Sequence, residues 1–226
     1  MSASATRCAS SPRAAACPPG SSSHSSSTRA GGGVLVDVKP VSPLASEWSD
    51  QQPARIRREG LDVRENPGRR KILVVTDGTE AVARNVATAL GTSLPATPDS
   101  TTADDPCCLM LAANTWLVCY ERSHGLGDRL IRTSAGFEAA VNDVSDGYVS
   151  VEITGPLAYA LLVRGCELDL HRRAFGAGRF AATQVAGIDV LIHLRAQGDA
   201  YELLVDRSLA AGLWMWLKDR AKALAA

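Results

Sequence analysis

The chain has 226 residues, 46% of them hydrophobic, with 24 basic and 24 acidic side chains in balance. That length suits one medium domain or two small ones, and the neutral charge excludes global attraction to nucleic acid or an anionic membrane. No apolar run approaches the roughly 18 to 20 residues that cross a bilayer.

Residues 1–33 are a Ser, Ala, Gly and Pro mixture with Arg7, Arg13 and Arg29 and no acid. Organelle transit peptides share this composition, but it lacks the apolar stretch of a secretory signal. A disordered tail is expected, because so little apolar surface does not offset ordering entropy. Residues 34–70 read as an extended N-terminal arm. Val34–Lys39 is a short strand, and Pro40 and Pro43 hold the next residues extended. Arg55, Arg57, Arg58, Arg64, Arg69 and Arg70 make this arm basic. Glu59, Asp62 and Glu65 interrupt it and no aromatic is interleaved, so a solvated or partner-clasping arm is expected rather than a nucleic-acid surface.

Regular structure is expected from Lys71, in an α+β domain over residues 71–226. Ile72–Val75 reads as a buried strand, and Asp77 or Thr79 caps a helix carrying Val82, Val86, Ala89 and Leu90 at i, i+4, i+7, i+8. Gly91 ends it. Residues 95–106 are a loop, and Leu109–Ala112 pairs with Trp116–Glu121. Asp128–Thr133 reads as a further strand.

The second half follows the same plan. In Gly147–Ile153, Val149, Val151 and Ile153 alternate with Tyr148, Ser150 and Glu152. Thr154-Gly155-Pro156 opens a helix, Ala158, Leu161 and Leu162 form its buried stripe, and Gly165 stops it. Arg179–Val185 and Ile188–Leu194 flank Ala186-Gly187, a hairpin signal. Ala200–Val205 is one more strand, and Ser208 caps the last helix. There, Leu209, Leu213, Trp216, Leu217 and Leu224 share one face, while Trp214 and Met215 fall off it as candidate partner-interface residues. The fold class expected is α+β, with two degenerate repeats (about 71–140 and 141–226), antiparallel sheets and helices on one face of each.

No reactive centre is legible. Gly176-Ala-Gly178-Arg-Phe-Ala181 fits a dinucleotide fingerprint formally, but the residues after it read as a strand where phosphate needs a helix N-terminus. The four histidines, His24, His124, His171 and His193, do not space as metal ligands, and His193 is expected on a solvent face. Among the six cysteines, Cys8, Cys17, Cys107, Cys108, Cys119 and Cys166, there is no C-x-x-C pair. Reduced thiols and a cytoplasmic setting are expected. Asp143, Asp146, Asp169 and Asp206 stand at element ends as turn and cap residues, and Arg207 is placed to pair with one of them. The expected entries are therefore no catalytic, cofactor-binding or metal residues on this chain.

From Val141 onward a specific series of motifs occurs: Asp143-Val-Ser145-Asp146, Thr154-Gly-Pro156, Leu161-Leu162, Gly165-Cys166, Leu168-Asp169-Leu170-His171, Ala174-Phe175, Gly178, Thr183, Gly187-Ile188, Arg207-Ser208-Leu-Ala210 and Trp216-Leu217. The series resembles the gamma subunit of heterotetrameric sarcosine oxidase. Upstream, Ser42-Pro43-Leu44 resembles that family's N-terminal segment. Gly91, Leu94-Pro95, Leu111 and Asn114–Leu117 resemble its worn first repeat. The resemblance implies a fold like the folate-binding domain of glycine-cleavage aminomethyltransferases and a non-catalytic subunit docked on a large alpha subunit. It further implies that alpha and beta hold FAD, FMN, NAD and tetrahydrofolate, and that delta is a small zinc protein. The complex so implied oxidises sarcosine to glycine, with formaldehyde or 5,10-methylenetetrahydrofolate and hydrogen peroxide as co-products. Oxidation of a related N-methyl amino acid such as N-methylglutamate is the alternative. A free folate-binding or iron–sulfur-repair protein is another. Arg164-Gly165-Cys166-Glu167-Leu168-Asp169 shares only Gly-Cys with the repair signature Lys-Gly-Cys-Tyr-x-Gly-Gln-Glu, which favours the subunit.

Overall fold

The computed structural model describes residues 41–95, 97–98, 101, 105–121, 125–195 and 200–224. The expectations for residues 1–33, for a strand at 34–39, and for Cys8, Cys17, His24 and His124 lie outside the described residues. In chain order the elements are β1 (Arg55–Arg58), β2 (Leu61–Glu65), β3 (Arg70–Thr76), α1 (Glu80–Leu90), β4 (Cys107–Ala112), β5 (Thr115–Tyr120), α2 (Leu126–Ser134), β6 (Ala139–Asp143), β7 (Tyr148–Thr154), α3 (Ala158–Leu162), β8 (Phe180–Val185), β9 (Ile188–Leu194), β10 (Ala200–Asp206) and α4 (Ala210–Leu224).

The strands form two sheets, one ordered β4-β5-β3-β6 and the other β1-β2-β7-β10-β9-β8. Every pairing is antiparallel. Each sheet carries its helices on one face. Ile72 and Val74 of the four-stranded sheet pack with Val82, Val86, Leu126 and Leu130 of α1 and α2. Val149, Val151, Ile153, Leu203 and Val205 of the six-stranded sheet pack with Leu161, Leu162, Leu213, Trp214 and Leu217 of α3 and α4. The opposite faces meet each other, and Cys107, Leu109, Leu117 and Cys119 lie against Phe180 and Leu204. Because side chains alternate across a strand, one face of each sheet serves the helices and the other serves the partner sheet.

The α+β class and the elements from β7 onward match the sequence reading. Four expectations are corrected. Asp128–Thr133 is not a strand but the body of α2, where Leu126, Leu130 and Ser134 are buried at i, i+4, i+8. The missing strand is β6, which pairs with β3 and crosses the expected repeat boundary at residue 140. Residues 55–65 are not an extended arm but a hairpin that widens the second sheet, with β2 bonded to β7. Finally, the buried face of α4 is Ala210, Leu213, Trp214, Leu217 and Ala221, whereas Leu209 is 42% exposed. Small alanines let that side of the helix approach the sheet closely, so the heavier residues alone misplace the face.

Local glycines explain two of the motifs. Gly165 lies against the Trp216 ring, where an added Cβ would stand 2.3 Å from Cζ2. Gly155 has φ +102° and meets the Gly60 carbonyl of the β1–β2 turn, 2.5 Å from an added Cβ. Leu157 N then donates to that same carbonyl at 3.0 Å. The Thr154-Gly155-Pro156 motif thus locks the start of α3 to the N-terminal hairpin, a close backbone approach that only glycine allows.

Candidate functional site

A group of buried polar side chains gathers between the sheets. Glu202 on β10 is 2% exposed and Arg69, just before β3, is also 2% exposed. Arg69 Nε donates to Glu202 Oε1 at 3.0 Å and Nη2 to Oε2 at 3.3 Å. Ser150 Oγ donates to Oε1 at 2.7 Å, so β7 joins the cluster. Arg69 Nη1 also reaches Asp105 Oδ1 at 3.4 Å, and Asp105 Oδ1 accepts the Glu121 backbone N–H at 2.9 Å. Burial disfavours the Glu202 carboxylate, yet His193, Arg69, Ser150 and Arg195 outweigh it and hold the pKa at about 2. Nearby, Lys71 Nζ donates to the Tyr148 carbonyl at 3.1 Å, another link between the sheets.

His193 was expected to face solvent; it is 2% exposed instead. Its Nδ1 is 3.9 Å from Glu202 Oε2 and 3.8 Å from Cys107 Sγ, longer than ordinary N–H···O bonds. Its Nε2 is buried without a hydrogen-bond partner. The second sheet covers the face that alternation assigned to water.

Cys107 and Cys119 are direct cross-strand partners inside this layer. Burial pushes the Cys107 thiol well above its ordinary pKa and that of Cys119 to about 12. A thiol rather than a thiolate is therefore present at neutral pH, and neither sulfur is set up as a nucleophile. All four described cysteines are unpaired to one another. Among the described residues no group of three or more His, Cys, Asp or Glu is arranged to hold a metal ion. No helix among them is long and apolar enough to cross a membrane.

One edge of this layer opens into a cavity of ≈ 270 Å³ lined by Ser42, Trp48, Glu65, Arg69, Lys71 and Ser150 among others. That is below the range of about 300–1,000 Å³ usual for small-molecule pockets. Its rim is already tied together: Trp48 Nε1 donates to Glu65 Oε2 at 2.7 Å, and Ser42 Oγ donates to Glu65 Oε1. Leu44, between them in sequence, is 1% exposed in the main core. What the arrangement does chemically is cross-link two sheets and an N-terminal segment.

The remaining expected site residues separate. Trp214 is 2% exposed in the core under α4, whereas its neighbour Met215 is 64% exposed. Asp143, Asp169 and Asp206 each accept a backbone N–H two residues on, as turn residues do. The Ser208 hydroxyl donates to Asp206 at 2.6 Å rather than capping α4. Arg207 pairs with none of the acids; its Nη2 donates to the Val41 carbonyl. In the basic arm, Arg55 pairs with Asp62, Arg64 with Glu152, and Arg70 with Asp143. Gly176 and Gly178 precede β8, and no helix follows them to receive a phosphate. Arg69 and Glu202 were not singled out by sequence. The only cue was a charged residue at a position that alternation within β10 placed beside apolar strands.

Two helix-backed antiparallel sheets packed face to face define the class of protein. The glycine cleavage system aminomethyltransferase T from Bartonella henselae has a similar fold, at a TM-score of 0.51 with 18% identity, covering 69% of this chain and 45% of that one. Residues 76–223 match the family described as "Sarcosine oxidase, gamma subunit family". The chain belongs to that family. It is 33% identical over 120 residues to the sarcosine oxidase subunit gamma of Arthrobacter sp, covering 52% of this chain and 59% of that relative. It is 29% identical over 136 residues to the Corynebacterium sp. (strain U-96) subunit gamma, covering 59% of this chain and 66% of the relative. The chain thus aligns with less than two thirds of the length of either. A chain of the heterotetrameric sarcosine oxidase from Corynebacterium sp. U-96, solved with pyrrole 2-carboxylate, superposes at a TM-score of 0.73 with 26% identity, covering 82% of this chain and 96% of that chain.

Proposed function

We propose that the chain is the structural gamma subunit of a heterotetrameric sarcosine oxidase in the cytoplasm, docked on the alpha subunit and carrying no catalytic step itself. The observation that carries this reading is the superposition over 96% of a chain from such a complex, at a TM-score of 0.73. The buried layer supports it: Glu202 is ionised and paired while Cys107 and Cys119 are protonated and sealed, a cluster that joins sheets rather than reacting. In this reading FAD, FMN, NAD and tetrahydrofolate are held by alpha and beta, and zinc by delta. Sarcosine becomes glycine on those chains, with formaldehyde or 5,10-methylenetetrahydrofolate and hydrogen peroxide as co-products. N-methylglutamate or another N-methyl amino acid replaces sarcosine if the beta subunit reads a different substrate.

A second reading, a stand-alone folate-binding protein, draws on 33% identity over 98 residues to an aminomethyltransferase of Streptomyces coelicolor, which spans only 26% of that protein. Affinity capture of the tagged chain from its host separates the two. Recovery of a large NAD-binding chain with a flavin-bearing chain and a small zinc protein supports the subunit. Recovery of a lone monomer that binds tetrahydrofolate supports the second reading and removes the first. The purified chain by itself is expected to bind neither flavin nor folate tightly enough to retain it through gel filtration, read by absorbance.

A further inference from the structure

A second cavity, of ≈ 730 Å³, lies on the other side of the six-stranded sheet from the sealed layer's edge, lined by Gly155, Pro156, Ala158, Tyr159, His171, Arg172, Arg173 and Tyr201. Its volume falls within the ligand-pocket range of about 300–1,000 Å³. Three consecutive basic residues, His171-Arg172-Arg173, line it from the loop between α3 and β8. That loop is held at both ends, because Leu170 is 1% and Phe175 3% exposed in the main core.

Between those anchors the backbone is fixed. The His171 N–H donates to Asp169 Oδ1 at 2.9 Å, and the His171 carbonyl accepts the Ala174 and Phe175 N–H groups, each at 2.8 Å. The Arg173 N–H donates to His171 Nδ1 at 3.3 Å, which assigns the proton of the neutral ring to Nε2 as a donor. Tyr201, 5% exposed, also lines the cleft. Burial raises the Tyr201 pKa while Arg172 opposes that rise, so the hydroxyl is a protonated donor close to a guanidinium. Tyr159, 41% exposed, adds an aromatic wall.

We propose that this cleft binds a small ligand in which an anionic oxygen group, carboxylate or phosphate, is joined to an aromatic ring. The guanidiniums and His171 meet the anion through charge-assisted hydrogen bonds, Tyr201 donates from the floor, and Tyr159 offers a ring face. The anchors on both sides of the loop fix its backbone, which lowers the ordering cost of binding at the cleft. The site does not depend on the chain's place in an oxidase complex.

Calorimetric titration of the full chain tests it with five probes: adenosine 5′-monophosphate, benzoate, inorganic phosphate, adenosine and a glutamate-rich peptide. Saturable binding of adenosine monophosphate or benzoate is expected, with phosphate and adenosine each weaker by about tenfold. The stronger of the first two identifies the anion. Arg173→Ala should weaken binding by about tenfold and Tyr201→Phe by about threefold, whereas Arg58→Ala on β1 should leave it unchanged. Circular dichroism of each variant establishes folding. Absence of saturation by either ring-bearing anion overturns the proposal, as does equal loss in Arg58→Ala. Preference for the peptide overturns it too, and makes the cleft a protein-docking surface instead.

Discussion

The two sheets answer the same design differently. Both open with a strand, a helix and a hairpin: β3-α1-β4-β5 in the first half and β7-α3-β8-β9 in the second. They part at the last strand. In the first half β6 lies outside β3, giving the order β4-β5-β3-β6. In the second, β10 enters between β9 and β7, and β2 then takes the outer place beside β7. The insertion has a consequence for the core. Strand β10, bonded on both edges, carries Leu203 and Val205 toward α4 and Glu202 and Leu204 toward the other sheet. The lesson is that a repeat can keep its elements while moving one strand, and that the moved strand brings the buried charge.

The comparison breaks first at that charge. Glu202→Ala should destabilise the chain by about 3–5 kcal/mol, because it strands the buried Arg69 guanidinium without its partner. Urea unfolding measures this, and the double variant Arg69→Met, Glu202→Leu should recover most of the loss. The same pairing predicts an acid limb. A carboxylate depressed from 4.5 to about 2 in the fold contributes stability that is complete above pH 4.5 and lost as pH falls toward 2. Glu202→Gln should flatten that part of the profile. Cys119 works in the opposite sense: a thiol raised from 9.0 to about 12 stabilises below pH 9 and ceases to do so as pH rises toward 12.

Next in size, Trp214→Ala should cost about 3–5 kcal/mol in the second half, and Leu130→Ala about 2–5 kcal/mol in the first, since both side chains are fully enclosed. Thermal unfolding followed at the two sites would reveal whether the halves melt together. Gly165→Ala should cost about 1–3 kcal/mol by pressing on Trp216, and Trp216→Leu should relieve it. The smallest effect on folding is Met215→Lys, within about 0.5 kcal/mol, because the side chain already faces solvent. If Met215 is a partner contact, the lysine variant folds normally yet loses co-purification with the large partner.

Several elements were legible because their signals are local. The glycine at 91 adopts φ +72° at the end of α1, and the Ala186-Gly187 turn joins β8 to β9 as their spacing implied. Helix α2 was misread as a strand over Asp128–Thr133, although Leu126 and Leu130 stand at i, i+4 on its buried face. Ile131 is 55% exposed, so its β-branched character says nothing about the local backbone. Strand β6 left no signal, being Ala-Ala-Val-Asn-Asp with no sustained apolar face.

Sequence by itself determined the elements from β7 onward, the glycines at 155 and 165 that allow close approach, and the ordered motifs that place the chain in its family. Tertiary structure alone decided which polar faces are dry. Ser150, Glu152, His193 and Glu202 alternate with apolar residues as surface positions do, yet each is at most 4% exposed. Alternation reports that a strand has two different faces; whether water or a second sheet covers the polar one depends on residues more than fifty positions away, such as Arg69 to Glu202 across 133.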